Sequence, residues 1–160
     1  MGYRYPHMND DTAKHVGVTW ILSLIVMMSG VLAKVKALQD LGIGLGLGGP
    51  FLVSGIEDYY KIEGAEYIVT HYSGEDAINE AMKLAKDARN GALESWIAGG
   101  FFFMLFAWGG LGISMTLTGL ANLTNFIVMI LAHKRYSELR KMLMILQLKK
   151  GDKAEISIKI

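Results

Sequence analysis

The chain has 160 residues and a formal net charge of +1; 52% of its residues are apolar and 19% are charged. This length suits one domain, and the small net charge gives no electrostatic basis for binding nucleic acid. There is no cysteine, which excludes disulfides, thiolate metal sites, iron–sulfur clusters and c-type haem attachment.

Residues 16–33, which follow a polar N-terminal segment (1–15), carry no charge. An α-helix rises about 1.5 Å per residue and a bilayer core is about 30 Å thick, so roughly 20 residues cross it once. The stretch therefore predicts one transmembrane helix. Because Asp10 and Asp11 precede it and no A-x-A pattern ends it at Ala33, we expect a retained anchor rather than a cleaved signal peptide.

A second uncharged stretch, residues 41–56, would span only about 24 Å as a helix. Extended back to Lys36, with Lys36 and Asp40 reaching the lipid headgroups, it can form a full span. We favour this arrangement, with a kink near Pro50. The alternative is a re-entrant segment, which a membrane tolerates only where protein covers the freed backbone groups.

Glycine dominates this second stretch, and the spacing of Gly42 with Gly46 and of Gly44 with Gly48 forms small-xxx-small pairs. Such pairs let helix backbones approach closely. Each glycine costs a helix about 1 kcal/mol against alanine, so this density predicts compensating contact with another helix. The residues assigned to helix packing are Gly42, Gly44, Gly46, Gly48, Gly49 and Pro50.

The polar segment 57–94 has two parts. Residues 57–72 show no strong periodicity. From Ser73, which with Asp76 resembles a capping box, apolar residues recur at helical spacing and predict an amphipathic helix able to continue into the next stretch. Its apolar face comprises Ile78, Met82, Ala85, Ala88, Ala92 and Trp96.

The third uncharged stretch, residues 95–132, is long enough for two passes joined by a tight turn near residues 112–118. The predicted fold is an all-α integral membrane protein with four transmembrane helices in two hairpins, 16–56 and 95–133. Three spans plus a glycine-rich re-entrant segment is the alternative. A soluble core is disfavoured because 160 residues cannot enclose four such helices.

Basic residues predict the orientation. Fourteen of the 16 lysines and arginines lie in residues 1–15, in 57–94 or after residue 132. The positive-inside rule then makes residues 57–94 and the C-terminus cytoplasmic, together with the N-terminus if there are four spans. A re-entrant second segment would place the N-terminus outside.

The last span is predicted to continue into a cytoplasmic helix and tail, 134–160, because no glycine or proline lies between Leu120 and Lys150. The apolar stripe of this helix needs a partner surface. Residues 154–160 alternate like a strand, and we expect them to fray or to pair with a partner's sheet edge. The stripe consists of Leu139, Met142, Leu143 and Leu146.

No constellation for catalysis is recognisable, and we predict no catalytic residue, metal or cofactor. The centres of the predicted spans hold no charged residue, which disfavours ion or proton transport. Asn122 and Asn125 lie on one helix face and are expected to bond a neighbouring helix, with the lining of a pathway as the alternative. His15 and His133 are expected to be interfacial polar groups rather than ligands.

These observations favour a non-catalytic structural or accessory subunit of a membrane protein assembly. Its expected partners are other membrane subunits or copies of itself, together with the lipid bilayer, and no nucleic acid. One alternative is a homo-oligomeric pore or transporter lined by residues 41–56 with Asn122 and Asn125. Another is a coat or shell protein of a lipid-containing particle or virion. An enzyme is disfavoured.

Overall fold

The computed structural model describes the backbone of residues 12–158 and the side chains of residues 14–149. It contains α1 (Thr12–Leu32), α2 (Lys36–His71), α3 (Glu75–Trp108) and α4 (Gly112–Ile158), and no strand within the described backbone. The predicted all-helical fold is confirmed. Of the predicted N-terminal segment, residues 1–11 lie outside the described range.

Three helices are long and apolar enough to cross a membrane: α1 over Lys14–Leu32, α3 over Glu75–Trp108 and α4 over Gly112–Lys149. The second helix is not among them; Asp40 and Glu57 flank its uncharged stretch. It runs without interruption from Lys36 to His71 with Pro50 inside it. The chain therefore does not turn back within α2, as a re-entrant segment would.

The second helix is the centre of the bundle, since it contacts α1, α3 and α4, whereas α1 contacts only α2 among the described helices. Positions that face each other show the directions. From the N-terminus of α2 toward its C-terminus, Gly42 faces Met27 and Gly49 then faces Thr19 on α1. The order on α1 is reversed, so the two helices are antiparallel.

The same comparison orients the other pairs. Gly44 faces Ser114 and Gly48 faces Thr118, so α2 and α4 are parallel. The remaining pairs, α2 with α3 and α3 with α4, are antiparallel. Consequently α2, α3 and α4 all extend beyond their uncharged stretches at the same end of the bundle, here called the polar end.

The polar end has its own core, made by the last part of α2, the first part of α3 and the second half of α4. Alanines on α3 are fully buried there and let the helices approach closely. The predicted amphipathic helix corresponds to the first half of α3. Of its predicted face, Ile78, Ala85, Ala88 and Ala92 are buried, whereas Trp96 is 38% exposed. The central cluster is Ala65, Ile68, Ala77, Ile78, Ala81, Ala85 and Leu139.

Several predicted boundaries were wrong. Residues 57–71 continue α2, whose buried face beyond residue 57 comprises Asp58, Gly64 and the apolar residues Ile62, Ala65 and Ile68. The α3 N-cap is Gly74, whose φ of +111° lies in the region open to glycine, and not Ser73. The turn between α3 and α4 is at residues 109–111, where Gly110 has a φ of +67°. Residues 154–158, which alternate like a strand in sequence, continue α4; residues 159–160 lie outside the described backbone.

Candidate functional site

One side of α2 contacts α1 through glycines. A Cβ added to Gly42 would lie 2.6 Å from Met27 Cβ, and one added to Gly46 would lie 2.5 Å from Ser23 Oγ. The Ser23 hydroxyl donates a 2.6 Å hydrogen bond to the Gly42 carbonyl. At Gly49 the neighbouring atom would be Thr19 Cβ, at 3.1 Å. Any side chain at Gly42 would therefore separate the two backbones.

A second side of α2 contacts α4 in the same way. A Cβ on Gly44 would lie 2.9 Å from the Ser114 Cα, and one on Gly48 would lie 3.1 Å from Thr118 Oγ1. The predicted packing glycines thus fall into two sets, Gly42, Gly46 and Gly49 toward α1 and Gly44 and Gly48 toward α4. Pro50 lies within the same stretch. Two different helices use one glycine-rich segment.

Asp40, near the start of α2, binds the N-terminus of α4. Its two carboxylate oxygens accept hydrogen bonds from the backbone N–H groups of Ile113 at 2.8 Å and Ser114 at 2.9 Å. The Ser114 hydroxyl lies 2.6 Å from the Asp40 carbonyl oxygen and 2.5 Å from Oδ1. Unpaired N–H groups and a positive dipole end make a helix N-terminus a favourable partner for a carboxylate. From the sequence, Asp40 was expected at the lipid headgroups, and its contact with α4 was not predicted.

The two predicted polar contacts, Asn122 and Asn125, both face helices of their own chain. Asn125 is fully buried, and its Nδ2 donates to Phe51 O and Ala121 O at 2.9 Å each. Its Oδ1 would be 2.8 Å from a Cβ on Gly55, and Asn122 Oδ1 would be 3.1 Å from one on Gly99. Neither Oδ1 has a hydrogen-bond partner within the described residues, so each faces the Cα–H group of a glycine.

A buried carboxylate, Asp58, lies where α2 passes from its uncharged stretch into the polar end. Its side chain is 2% exposed, and Oδ1 accepts a 2.6 Å hydrogen bond from Lys61 Nζ. Its Oδ2 has no hydrogen-bond partner in the described part of the chain. Burial raises the pKa of Asp58, against the opposing effect of Lys61, and the negative charges of Glu94 and Asp87 raise it further. No pattern in the sequence predicted a role for Asp58.

Asp58 occupies a gap left by a glycine. A Cβ on Gly91 would lie 2.5 Å from Asp58 Oδ2 and 2.8 Å from Oδ1. One turn earlier on α2, Ser54 hydrogen-bonds Ser95 across the same interface at 2.9 Å. One turn later, Ile62 joins a buried cluster with Ala88, Ala92, Val128 and Ala132. The carboxylate is thus enclosed between α2 and α3, and only a residue without a side chain fits opposite it.

The predicted partner stripe on α4 divides between the inside and the outside of the bundle. Leu139 is fully buried in the polar-end core, and Leu143 packs partly against it. Leu146 is half-buried, and Met142 is exposed. The exposed apolar side chains at this end of α4 are Met142, Met144, Ile145 and Leu148, here called the α4 surface.

The α4 surface lies at the outer limit of the polar end, where α2, α3 and α4 pack together. Gln147 Nε2 donates to Glu75 Oε1 at 3.1 Å, which places Gln147 beside the first residue of α3. The helix continues from there to Ile158, roughly 17 Å further at helical rise. Leu148, just past this level, is 69% exposed.

Metal-ligating side chains do not converge anywhere in the described residues: no group of three histidines, aspartates or glutamates there could hold an ion. His15 lies close enough to Glu57 to act electrostatically on its carboxyl group. His133 is exposed near the middle of α4. The structure thus brings neither histidine into a cluster of ligands among the residues it describes.

Comparison of the chain with protein-family models, with curated protein sequences and with solved structures finds no match. Function is therefore inferred from the contacts, burial and charges of this chain's own residues.

Proposed function

We propose that the chain is a non-catalytic subunit of a membrane protein assembly that contacts its partner through the α4 surface. The observation that carries the proposal is the exposure of Met142, Met144, Ile145 and Leu148 on a part of α4 flanked by charged residues. Lipid covers apolar side chains within a bilayer, but apolar side chains that face water are typical of protein contact sites.

We infer that α2 is a fourth span that forms a hairpin with α1, and that α3 and α4 form the second hairpin. The supporting contacts pair α2 with the uncharged parts of the three apolar helices. Gly42 faces Met27, Gly48 faces Thr118, and the ring centroids of Phe51 and Phe102 are 5.8 Å apart. If those helices cross a membrane, these residues of α2 lie at the same depths. The charge asymmetry of the sequence then assigns the polar end to the cytoplasm.

The buried contacts of the glycine-rich stretch support a subunit rather than a pore. Gly44 and Gly48 face α4, and the Asn125 amide donates to the Phe51 carbonyl, all within one chain. A pore lined by residues 41–56 and Asn125 would require these groups to face water. Their present positions instead use them to hold α2 against α4.

The test is the mass and composition of the particle that mild detergent extracts from native membranes. We expect a stoichiometric complex with a second protein. Ile145→Ser should release that protein, whereas the matched control Lys141→Ser, exposed on the same helix, should not. A monomer, or a complex indifferent to Ile145→Ser, would contradict the proposal. A pure homo-oligomer would favour the pore, and a regular lattice of this chain the shell protein.

A further inference from the structure

We propose that Asp58 is a proton-binding site that controls the packing of α2 against α3. In this mechanism the neutral carboxylic acid fits the space opposite Gly91, and the carboxylate loosens that contact. The inference does not depend on the proposed function. It rests on the geometry of one buried side chain and of the groups around it.

Within the described part of the chain, the groups around Asp58 supply a hydrogen bond to only one of its two carboxylate oxygens. An ionised carboxyl group has two oxygens with about four acceptor positions. Here Lys61 serves Oδ1 at 2.6 Å, while Oδ2 is buried without a donor in the described residues. Leaving a buried charged oxygen unpaired is costly. A proton taken from solvent onto Oδ2 removes the charge and leaves Oδ1 free to accept from Lys61.

The charged groups that act on the pKa of Asp58 lie on its own helix and on α3. Lys61, on its own helix, favours the carboxylate, whereas Asp87 and Glu94 on α3 oppose it. The neighbouring Glu57 is itself influenced by His15 of α1. At the adjacent turn, α4 contributes the apolar residues Val128 and Ala132. Burial and two acidic groups thus raise the pKa of Asp58, and one lysine lowers it.

The route for the proton is short. The Lys61 side chain is 37% exposed while its Nζ contacts Asp58 Oδ1. Because Lys61 is partly exposed, it connects the Asp58 carboxyl group to the surface of the bundle. Asp58 also lies beyond the uncharged stretch 41–56, so the proton need not enter the centre of a membrane.

The sign of the pH dependence follows from the raised pKa of Asp58. The folded state holds the proton more tightly than the unfolded state does. The stabilisation is fully present below the ordinary value of 3.8 and is lost as the pH rises through the folded-state pKa. While only the folded state holds this proton, the unfolding equilibrium constant increases by up to about tenfold per pH unit.

The experiment uses the full chain in detergent micelles, unfolded with a denaturing detergent between pH 4 and 8 and followed by tryptophan fluorescence. We expect the wild type to become easier to unfold as the pH rises, and Asp58→Asn to lose most of this dependence. The control is Glu57→Gln, because the pKa of Glu57 is also raised by burial; it should keep most of the dependence. Equal pH profiles for the wild type and Asp58→Asn would overturn the proposal.

A second measurement tests the proposal on the wild type alone, in case Asp58→Asn does not fold. Infrared spectra of the wild type, with its aspartates carbon-13 labelled, separate aspartic from glutamic acid bands. We expect one aspartic acid band to persist above the pH at which ordinary aspartates ionise. Loss of all aspartic acid bands together, near the ordinary value of 3.8, would overturn the proposal irrespective of any variant.

Discussion

Asp40 on α2 caps α4: its carboxylate accepts the backbone N–H of Ser114 at 2.9 Å across 74 positions of sequence. A second bond, from the N–H of Ile113 at 2.8 Å, occupies the other carboxylate oxygen. Helix caps usually come from residues next to the helix. Here the cap comes from another helix and fixes the start of α4 against α2, next to the Gly44 contact.

Asp40→Ala should therefore destabilise the fold. Loss of a charged acceptor for two N–H groups should lower the free energy of unfolding by about 1–3 kcal/mol. The measurement is equilibrium unfolding in mixed micelles, with Lys36→Gln, an exposed residue one turn away, as the control. In a double-mutant cycle with Ser114→Ala, the two losses should add to more than the loss in the double variant. Independent effects would contradict the cap.

Gly42→Ala should weaken the contact between α1 and α2, because the new Cβ would lie 2.6 Å from Met27 Cβ. We expect a net loss of about 1–3 kcal/mol, since overpacking outweighs the better helix propensity of alanine. The matched control is Gly17→Ala on α1, whose Cβ would meet nothing within 4 Å among the described atoms. It should be neutral or stabilising by up to about 1 kcal/mol. The same outcome for both variants would exclude close packing at Gly42.

Gly91→Ala should have opposite effects in two backgrounds. In the wild type its Cβ would lie 2.5 Å from Asp58 Oδ2, and displacement of the carboxylate should destabilise by about 1–3 kcal/mol. In Asp58→Ala the space is open, so Gly91→Ala should stabilise by up to about 1 kcal/mol. Equilibrium unfolding of the wild type, the two single variants and the double variant measures both changes in stability. Destabilisation of equal size in each background would show that Gly91 does not accommodate Asp58.

Asp87→Asn should move the pH dependence of stability to lower pH. Burial is the main cause of the raised pKa of Asp58, and the negative charge of Asp87 adds to it. Removing that charge lowers the pKa of Asp58 without returning it to 3.8. The loss of stability on raising the pH should therefore be complete at a lower pH than in the wild type, as pH-resolved unfolding curves will show. Asp76→Asn, exposed in the first turn of α3, is the control. A shift of the Asp87→Asn curve to higher pH would contradict this assignment.

Leu139→Ala and Met144→Ala should separate stability from partner binding. Leu139 is fully buried in the polar-end core, and its truncation should cost about 2–5 kcal/mol. Met144 is exposed, so Met144→Ala should change stability by less than about 0.5 kcal/mol. Unfolding curves measure the stability of both variants. Co-purification measures partner binding, which Met144→Ala should weaken. A large stability loss for Met144→Ala would show that this side chain packs within the chain.

The sequence alone predicted the helical class and three helices that are long and apolar enough to cross a membrane, since length and hydropathy are properties of a segment by itself. The fourth predicted span, in α2, is not among those three. The absence of glycine and proline between Leu120 and Lys150 likewise predicted the long α4. The continuation of α2 through residues 57–71 was missed. Its buried face combines Asp58 and Gly64 with apolar residues, and such a mixture gives no clear apolar period.

The tertiary structure decided which helix each glycine contacts, what Asp40 binds, and that Asp58 lies opposite Gly91. These relationships depend on the rotation of each helix about its axis and on its offset along its neighbour. The residues that fix them are far apart in sequence, as Asp40 and Ser114 show. Spacing within one helix establishes that two glycines share a face. Only the packed bundle establishes that Gly42 meets Met27 and that Gly44 meets Ser114.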